Sequence, residues 1–292
     1  MLASIAGRRC RLVVVAGPLK DARGPMNYPT TPHPLMPHSA TSHPAIGLPR
    51  LIAHRGLSAR APENTLSAVR AAHRAGCTWV ELDVQLLGDG TPVVWHDATV
   101  KRCSDGRARL ADLDLPRARR LDVGGWFGDE FSGERMATLS EMLALIDALG
   151  LGLNLELKVN RGRSAAALVE EAVPAALDVL PPERLIVSSF SGEALACARD
   201  LAPAARLALG VLFEGIPDDW RQRCEALDAF SVHADWTRLS RRAAGAVREA
   251  GYPLLCYTAN DPAAFAHQWG WGVTSVISDD PTRFAGHLPD RE

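Results

Sequence analysis

Two histidines of this chain stand where short β-rich runs stop. His54 ends Leu51-Ile52-Ala53 and precedes Arg55-Gly56, while His96 ends Val93-Val94-Trp95 and precedes Asp97. An imidazole titrates near neutrality, so one histidine can take a proton while the other gives one. Glu81-Leu82-Asp83 closes a further apolar run, and Glu156-Leu157-Lys158 repeats its i, i+2 spacing. On a strand that spacing turns both side chains to one face, roughly 7 Å apart. Three carboxylates on a shared face repel unless a cation or proton lies among them. An all-oxygen set suits a hard divalent ion, Mg²⁺ or Ca²⁺, with Mn²⁺ also accommodated, rather than zinc. The plainer alternative is that Glu81 or Glu156 simply pairs with Lys158 or Arg55. Arg55 adds a planar fork of donors suited to a phosphate. Metal, two histidines and an arginine together describe cleavage of a phosphodiester.

These residues need elements that bring them to one place. From Leu51 onward, apolar runs alternate with amphipathic helical patterns. The expected strands are Leu51–His54, Thr78–Val84, Leu153–Leu157, Leu185–Ser189, Arg206–Leu212, Phe230–His233, Leu254–Thr258 and Ser275–Ser278. Expected helices include Asn64–Ala75, Leu139–Leu149, Ala165–Leu180, Gly192–Leu201, Ser240–Ala250 and Pro262–Trp269. Eight such units predict an α/β fold, a (β/α)₈ TIM barrel. Gly76, Gly150 and Gly251 are placed to end helices. In such a barrel the strands' C-terminal ends carry the site, which brings all the ionisable residues above to one rim.

One stretch departs from the alternation. Gly88-Asp89-Gly90 reads as a tight turn into Thr91–His96, a hairpin-like excursion of the second strand. An insertion over Thr99–Ala137 follows, and it reads as a lid or specificity wall over the site and, compatibly, as a small subdomain packed on Trp126, Phe127 and Phe131. His233 could reach the rim from the sixth strand, although a packed histidine is the simpler account.

Composition sets limits. A hydrophobic share of 47% supplies ample core, and a net charge of -2 gives no nucleic-acid footprint. Six scattered cysteines with no CxxC read as buried thiols of a cytoplasmic protein. No stretch approaches the roughly 20 apolar residues needed to span a bilayer, so stable membrane insertion is not expected. Residues 1–49 open on a weak signal-like run and continue as a Pro-rich tract with His33, His38 and His43. That composition predicts a disordered extension rather than a metal tract, and Met26 or Met36 could be the true start. The barrel is expected over 50–292.

The motifs also match a family. His54-Arg55-Gly56, Pro62-Glu63-Asn64-Thr65, Glu81-Leu82-Asp83-Val84, His96-Asp97 and Asn154-Leu155-Glu156-Leu157-Lys158 together resemble the glycerophosphodiester phosphodiesterases, most closely the bacterial cytoplasmic type. Ser188-Ser189-Phe190, Tyr257-Thr258-Ala259-Asn260 and Asp279-Asp280-Pro281 extend the likeness to about Gly286. The resemblance implies metal-dependent hydrolysis of a glycerophosphodiester to an alcohol and sn-glycerol 3-phosphate. It implies His54 and His96 as the acid/base pair, Glu81, Asp83 and Glu156 as metal ligands, and Arg55 and Lys158 as phosphate contacts. Asn64 is expected to cap the first helix, a structural role at least as well supported as a catalytic one. Two departures, Tyr257 in place of the usual Trp and Thr274 in place of an acidic residue, bear on substrate preference. Competing readings are a lysophospholipase D-like enzyme with Trp126-Phe127 lining an acyl site, and a barrel that binds phosphodiesters without turning them over. Head group and homodimer formation stay open.

Overall fold

The computed structural model describes residues 43–289. The expected disordered tract lies outside them up to residue 42, while 43–49 lead into the barrel. There Ile46 and Leu48 pack against its interior cluster, and His43 meets Phe230 edge-on at 5.6 Å.

Nine strands form: β1 (Leu51–His54), β2 (Trp79–Leu86), β3 (Pro92–Val94), β4 (Gly152–Leu157), β5 (Leu185–Ser189), β6 (Ala208–Phe213), β7 (Ser231–Asp235), β8 (Leu254–Tyr257) and β9 (Ser275–Ser278). All except β3 run parallel, and β1 pairs with both β2 and β9, which closes an eight-stranded barrel. The expected (β/α)₈ TIM barrel is what forms. Helices α1 (Leu66–Arg74), α2 (Leu115–Ala118), α3 (Leu139–Ala148), α4 (Ala165–Val179), α5 (Gly192–Leu201), α6 (Trp220–Ala226), α7 (Arg241–Glu249) and α8 (Pro262–Trp269) lie between strands. The barrel-coating helices cover outward residues such as Val80, Leu82, Leu153 and Val187 in one continuous core. Gly76, Gly150 and Gly251 follow helices at φ of +83°, +66° and +84°, as their placement required. Among the described residues no helix is long and apolar enough to cross a membrane.

Strand periodicity explains the barrel's interior. Residues two apart share a face, so each inward column is a short vertical series. Ile52, Trp79, Ile186, Ala208, Leu255 and Ile277 form an apolar plug. The next inward residue along β1 is His54, along β2 Glu81 and then Asp83, and just past the end of β9 comes Asp279. Glycines make room for the large members: a Cβ at Gly152 would sit 2.2 Å from the Trp79 ring. One at Gly210 would meet His233 Nε2 at 2.5 Å. His233 is therefore a packing residue inside the barrel, fully buried and bonded to Ser231 Oγ at 2.9 Å.

Between β2 and α3 the chain builds its own small core. β3 pairs antiparallel with β2, realising the expected excursion. The insertion then packs Val100, Cys103, Leu110, Leu113, Val123 and Met136 against Leu87, Val93 and Trp95. These packed residues of the insertion differ from the expected Trp126, Phe127 and Phe131. Trp126, Phe127 and Phe131 form an edge-to-face chain at 5.6 and 5.5 Å on its surface, with Trp126 42% exposed. Leu87, Val93 and Trp95, within and beside the β2–β3 hairpin, supply the large side chains in their stead.

Burial of His233 penalises its charged form and pushes its pKa down to about 3, from an ordinary value near 6.5. Its folded pKa is depressed, so its contribution to stability is present above pH 6.5. It is lost as pH falls toward 3, at up to about 1.4 kcal/mol per pH unit. Chemical denaturation of wild type and His233→Gln between pH 7 and 4 is expected to show a steeper acid decline for wild type. Parallel declines would contradict a neutral buried imidazole.

Candidate active site

The sheet register brings the acidic residues together. His54 stands opposite Glu81 in the β1–β2 pairing, and Asp83 stands opposite Glu156 in the β2–β4 pairing. Glu81, Asp83 and Glu156 are all buried, and each offers an oxygen within 4.8 Å of the others. Two cations answer them in part. Lys158 Nζ lies 2.7 Å from Glu156 Oε1 and 3.3 Å from Asp83 Oδ1. Arg55 Nε lies 3.1 Å from Asp83 Oδ2, and its backbone N–H donates to Glu81 Oε2 at 3.2 Å. The pairing that was the plainer alternative therefore exists, yet it is incomplete. Glu81 Oε1 is buried with no hydrogen-bond donor.

The electrostatics follow from this imbalance. Burial, then the charges of Asp83 and Glu156, raises Glu81 well above the carboxylate range. Burial and Asp83 raise Glu156 to about 7. Burial works against Asp83 too, but Lys158 and Arg55 outweigh it and hold that carboxyl down. Three carboxylates facing two cations leave an excess of buried negative charge. The orphaned oxygen and the all-oxygen donor set fit a hard divalent cation held by Glu81, Asp83 and Glu156.

Both histidines are tethered. His54 Nδ1 lies 2.6 Å from Asp279 Oδ1, and His96 Nδ1 lies 2.7 Å from Asp97 Oδ1. Each carboxylate fixes its ring and leaves Nε2 for other work. Asp279 is held in turn by Ser58 Oγ at 3.0 Å and Asn260 Nδ2 at 2.6 Å. Burial opposes its ionisation, but His54, Asn260 and Ser58 together outweigh this and set the carboxyl at about 2. For His96, burial lowers the pKa below the ordinary value, with Arg55 and Lys158 adding to the effect. Gln85 donates to the carbonyls of Trp95, His96 and Asp97 at 2.9, 2.7 and 3.1 Å, which pins the loop that carries His96.

All seven expected site residues meet at the C-terminal rim. Six of them, with Asn154, Phe190, Leu212, Tyr257, Thr258 and Ile277, line a cavity of about 270 Å³, and Asp83 lies buried against Arg55 and Lys158. A second cavity of about 470 Å³ opens on the other side of His54 and Arg55, toward Ser58, Asn260, Asp279 and Arg283. Tyr257 walls the first cavity as expected, with its hydroxyl donating to Phe213 O at 2.8 Å. Thr274 does not bear on the pocket. It precedes β9 at the opposite end of the barrel, where its Oγ1 accepts from Leu254 N at 3.1 Å.

Asn64 requires a correction. Thr65 caps α1, accepting from Ala68 N, while Asn64 adopts φ +59° and reaches the acidic cluster. Its Nδ2 donates to Asp83 Oδ2 at 2.8 Å, and its Oδ1 accepts from Asp83 N at 3.2 Å. Arg55 is also left-handed, at φ +53°. Strained backbone at two rim positions is held by these contacts. Asp97, Glu63 and Asp279 stood in recognised motifs without a role, whereas Arg102 gave no sequence signal.

The glycerophosphoryl diester phosphodiesterase family model matches residues 54–283. A glycerophosphodiester phosphodiesterase of Caldanaerobacter subterraneus is 33% identical over 79% of this chain and 94% of its own length. A phosphodiesterase of Oleispira antarctica, solved with its product sn-glycerol-3-phosphate, superposes with TM-score 0.78 and 36% identity. That match covers 82% of this chain and 96% of the other. A structure from Galdieria sulphuraria, at TM-score 0.71 and 24% identity, shares the fold. A closed barrel with an acidic, histidine-flanked rim is the frame of a phosphodiesterase. The chain belongs to the glycerophosphodiester phosphodiesterase family.

Asn64 offers a direct check on the cluster's support. Asn64→Gly keeps the left-handed turn but removes both bonds to Asp83, leaving a buried N–H unpaired. A loss of about 1–3 kcal/mol in chemical denaturation is expected. Wild-type stability in that variant would mean the turn alone mattered.

Proposed function

We propose that this enzyme hydrolyses small glycerophosphodiesters to an alcohol and sn-glycerol 3-phosphate, with a divalent cation as cofactor. The observation that carries the reading is the buried acidic cluster flanked by two carboxylate-tethered histidines on one cavity. Glu81, Asp83 and Glu156 would hold the ion, Mg²⁺, Ca²⁺ or Mn²⁺. When bound, it supplies Lewis-acid stabilisation of charge developing on the phosphoryl oxygens.

The protein's own groups do the rest. Arg55 and Lys158 face the cavity as fixed cations and orient the phosphate, so its developing charge meets preorganised donors. Each Nδ1–carboxylate contact leaves the opposite ring nitrogen available. One histidine takes a proton at Nε2 from the attacking water as its oxygen bonds to phosphorus, and the other gives a proton to the departing alkoxide as the P–O bond to the alcohol breaks. Phe190, Leu212, Tyr257 and Ile277 give the cavity an apolar wall for the carbon skeleton of the substrate.

The product bound by the Oleispira relative supports the glycerol 3-phosphate half of the assignment. A lysophospholipase D-like activity has weaker support, since Trp126 and Phe127 line neither rim cavity. Buried free thiols at Cys103, Cys224 and Cys256 support a cytoplasmic setting.

The first test is glycerol 3-phosphate release from glycerophosphocholine, with EDTA and then with Mg²⁺ or Ca²⁺ restored. Activity is expected to vanish with chelator and return with metal; persistence in EDTA would count against a metal at the carboxylates. Lysophosphatidylcholine micelles run in parallel should turn over far more slowly. His54→Ala and His96→Ala should each lower turnover about 10²–10⁴-fold without loss of fold, and Glu156→Ala should raise the metal concentration required. Near wild-type turnover in both histidine variants would exclude the mechanism.

A further inference from the structure

Arg102 belongs to the insertion, yet it reaches the rim. Its Nη1 and Nη2 donate to Glu63 Oε2 and Oε1 at 2.5 and 2.8 Å. Its Nε and Nη2 donate to Asp97 Oδ2 and Oδ1 at 2.7 and 3.0 Å. Each of these carboxylates also grips a side chain of the cavity. Asp97 Oδ1 meets His96 Nδ1 at 2.7 Å, and Glu63 Oε1 accepts from Arg55 Nη1 at 2.7 Å. A single guanidinium therefore ties the holder of one histidine to the holder of the phosphate-facing arginine.

We infer that Arg102 is a positioning residue that fixes His96 and Arg55 relative to one another, so that the insertion takes part in building the site. The inference rests on the roles given above to His96 and Arg55. The geometry needs arginine. Only a planar fork spans two carboxylates at once, whereas an ammonium concentrates its charge at one point. Both ends of the link are anchored. Cys103, the next residue, is 3% exposed in the insertion's core, and Glu63 directly precedes Asn64, which is bonded to Asp83.

A plain surface ion pair would look similar and do little. Arg102's side chain is 46% exposed, and such pairs contribute weakly to stability. The two cases part in kinetics: misplacing a reacting group by about 1 Å can cost about 10²-fold in rate.

The test uses the full-length, metal-supplemented enzyme on glycerophosphocholine, comparing Arg102→Ala, Arg102→Lys, Asp97→Asn and the double variant Arg102→Ala/Asp97→Asn. Arg102→Ala is expected to lower kcat at least about tenfold while its thermal midpoint stays within about 2 °C of wild type. Arg102→Lys should recover less than about a third of the lost kcat, and the losses from Arg102→Ala and Asp97→Asn should not multiply. A smaller fall, full recovery with lysine, or losses that multiply would overturn the inference. Should the alanine variant melt early, Arg102→Gln, which keeps most of the stem, takes its place under the same criteria. His96→Ala is the control. If it is inactive while Arg102→Ala is not, only this inference fails, whereas an active His96→Ala would remove the reading on which it rests.

Discussion

Everything at the rim answers to one constraint, the confinement of Glu81, Asp83 and Glu156 within 4.8 Å in a buried position. Burial first, and then like charges at that separation, raises the pKa of Glu81 and Glu156. The protein offsets the conflict only partly, by placing Lys158 and Arg55 against Asp83. Full neutralisation by protein groups would have removed any reason for a cation to bind. A remainder of negative charge is what the proposed cation would answer, and the surrounding hydrogen bonds keep the cluster from relaxing.

The barrel makes such a conflict tolerable. Its apolar plug of Ile52, Trp79, Ile186 and neighbours fixes the strand ends from below, so the carboxylates cannot spread apart without disturbing close packing. The same period-2 alternation that buries Ile52 presents His54, and the one that buries Trp79 presents Glu81 and Asp83. Core and site are thus successive layers of one column of side chains. A slip of one residue in register would exchange both at once, which ties the specificity of folding to the assembly of the site.

Much of this was legible in the sequence because it is local. Apolar runs ending in His54, Glu81 and Glu156 showed strand, direction and rim together, and the helices' closing glycines set the boundaries. What escaped was decided by tertiary contact. Asn64 has the composition of a helix cap, but its left-handed backbone aims it at Asp83 and leaves the cap to Thr65. Trp126 and Phe127 are the most hydrophobic-looking residues of the insertion, yet they lie at its surface because Trp95 and Val93 already fill its core. Thr274 differs from the family pattern at the far end of a strand, where a difference cannot touch substrate. The short helix Trp220–Ala226 buries only Trp220 and Cys224, too few apolar positions to stand out.

The partner of His54 shows why a site can depend on the whole chain. Asp279 lies 225 residues beyond it in sequence, directly after the last strand. The two meet only because β9 pairs with β1. An open sheet with the same strands would hold the carboxylate cluster of β2 and β4, yet His54 would lack its tether. Closure of the barrel and orientation of that imidazole are therefore one event. On the other side of the cavity, His96 takes its carboxylate from the adjacent residue and its support from the insertion. The two histidines are held by different parts of the chain, one by global closure and one by a local subdomain, around carboxylates that belong to β2 and β4.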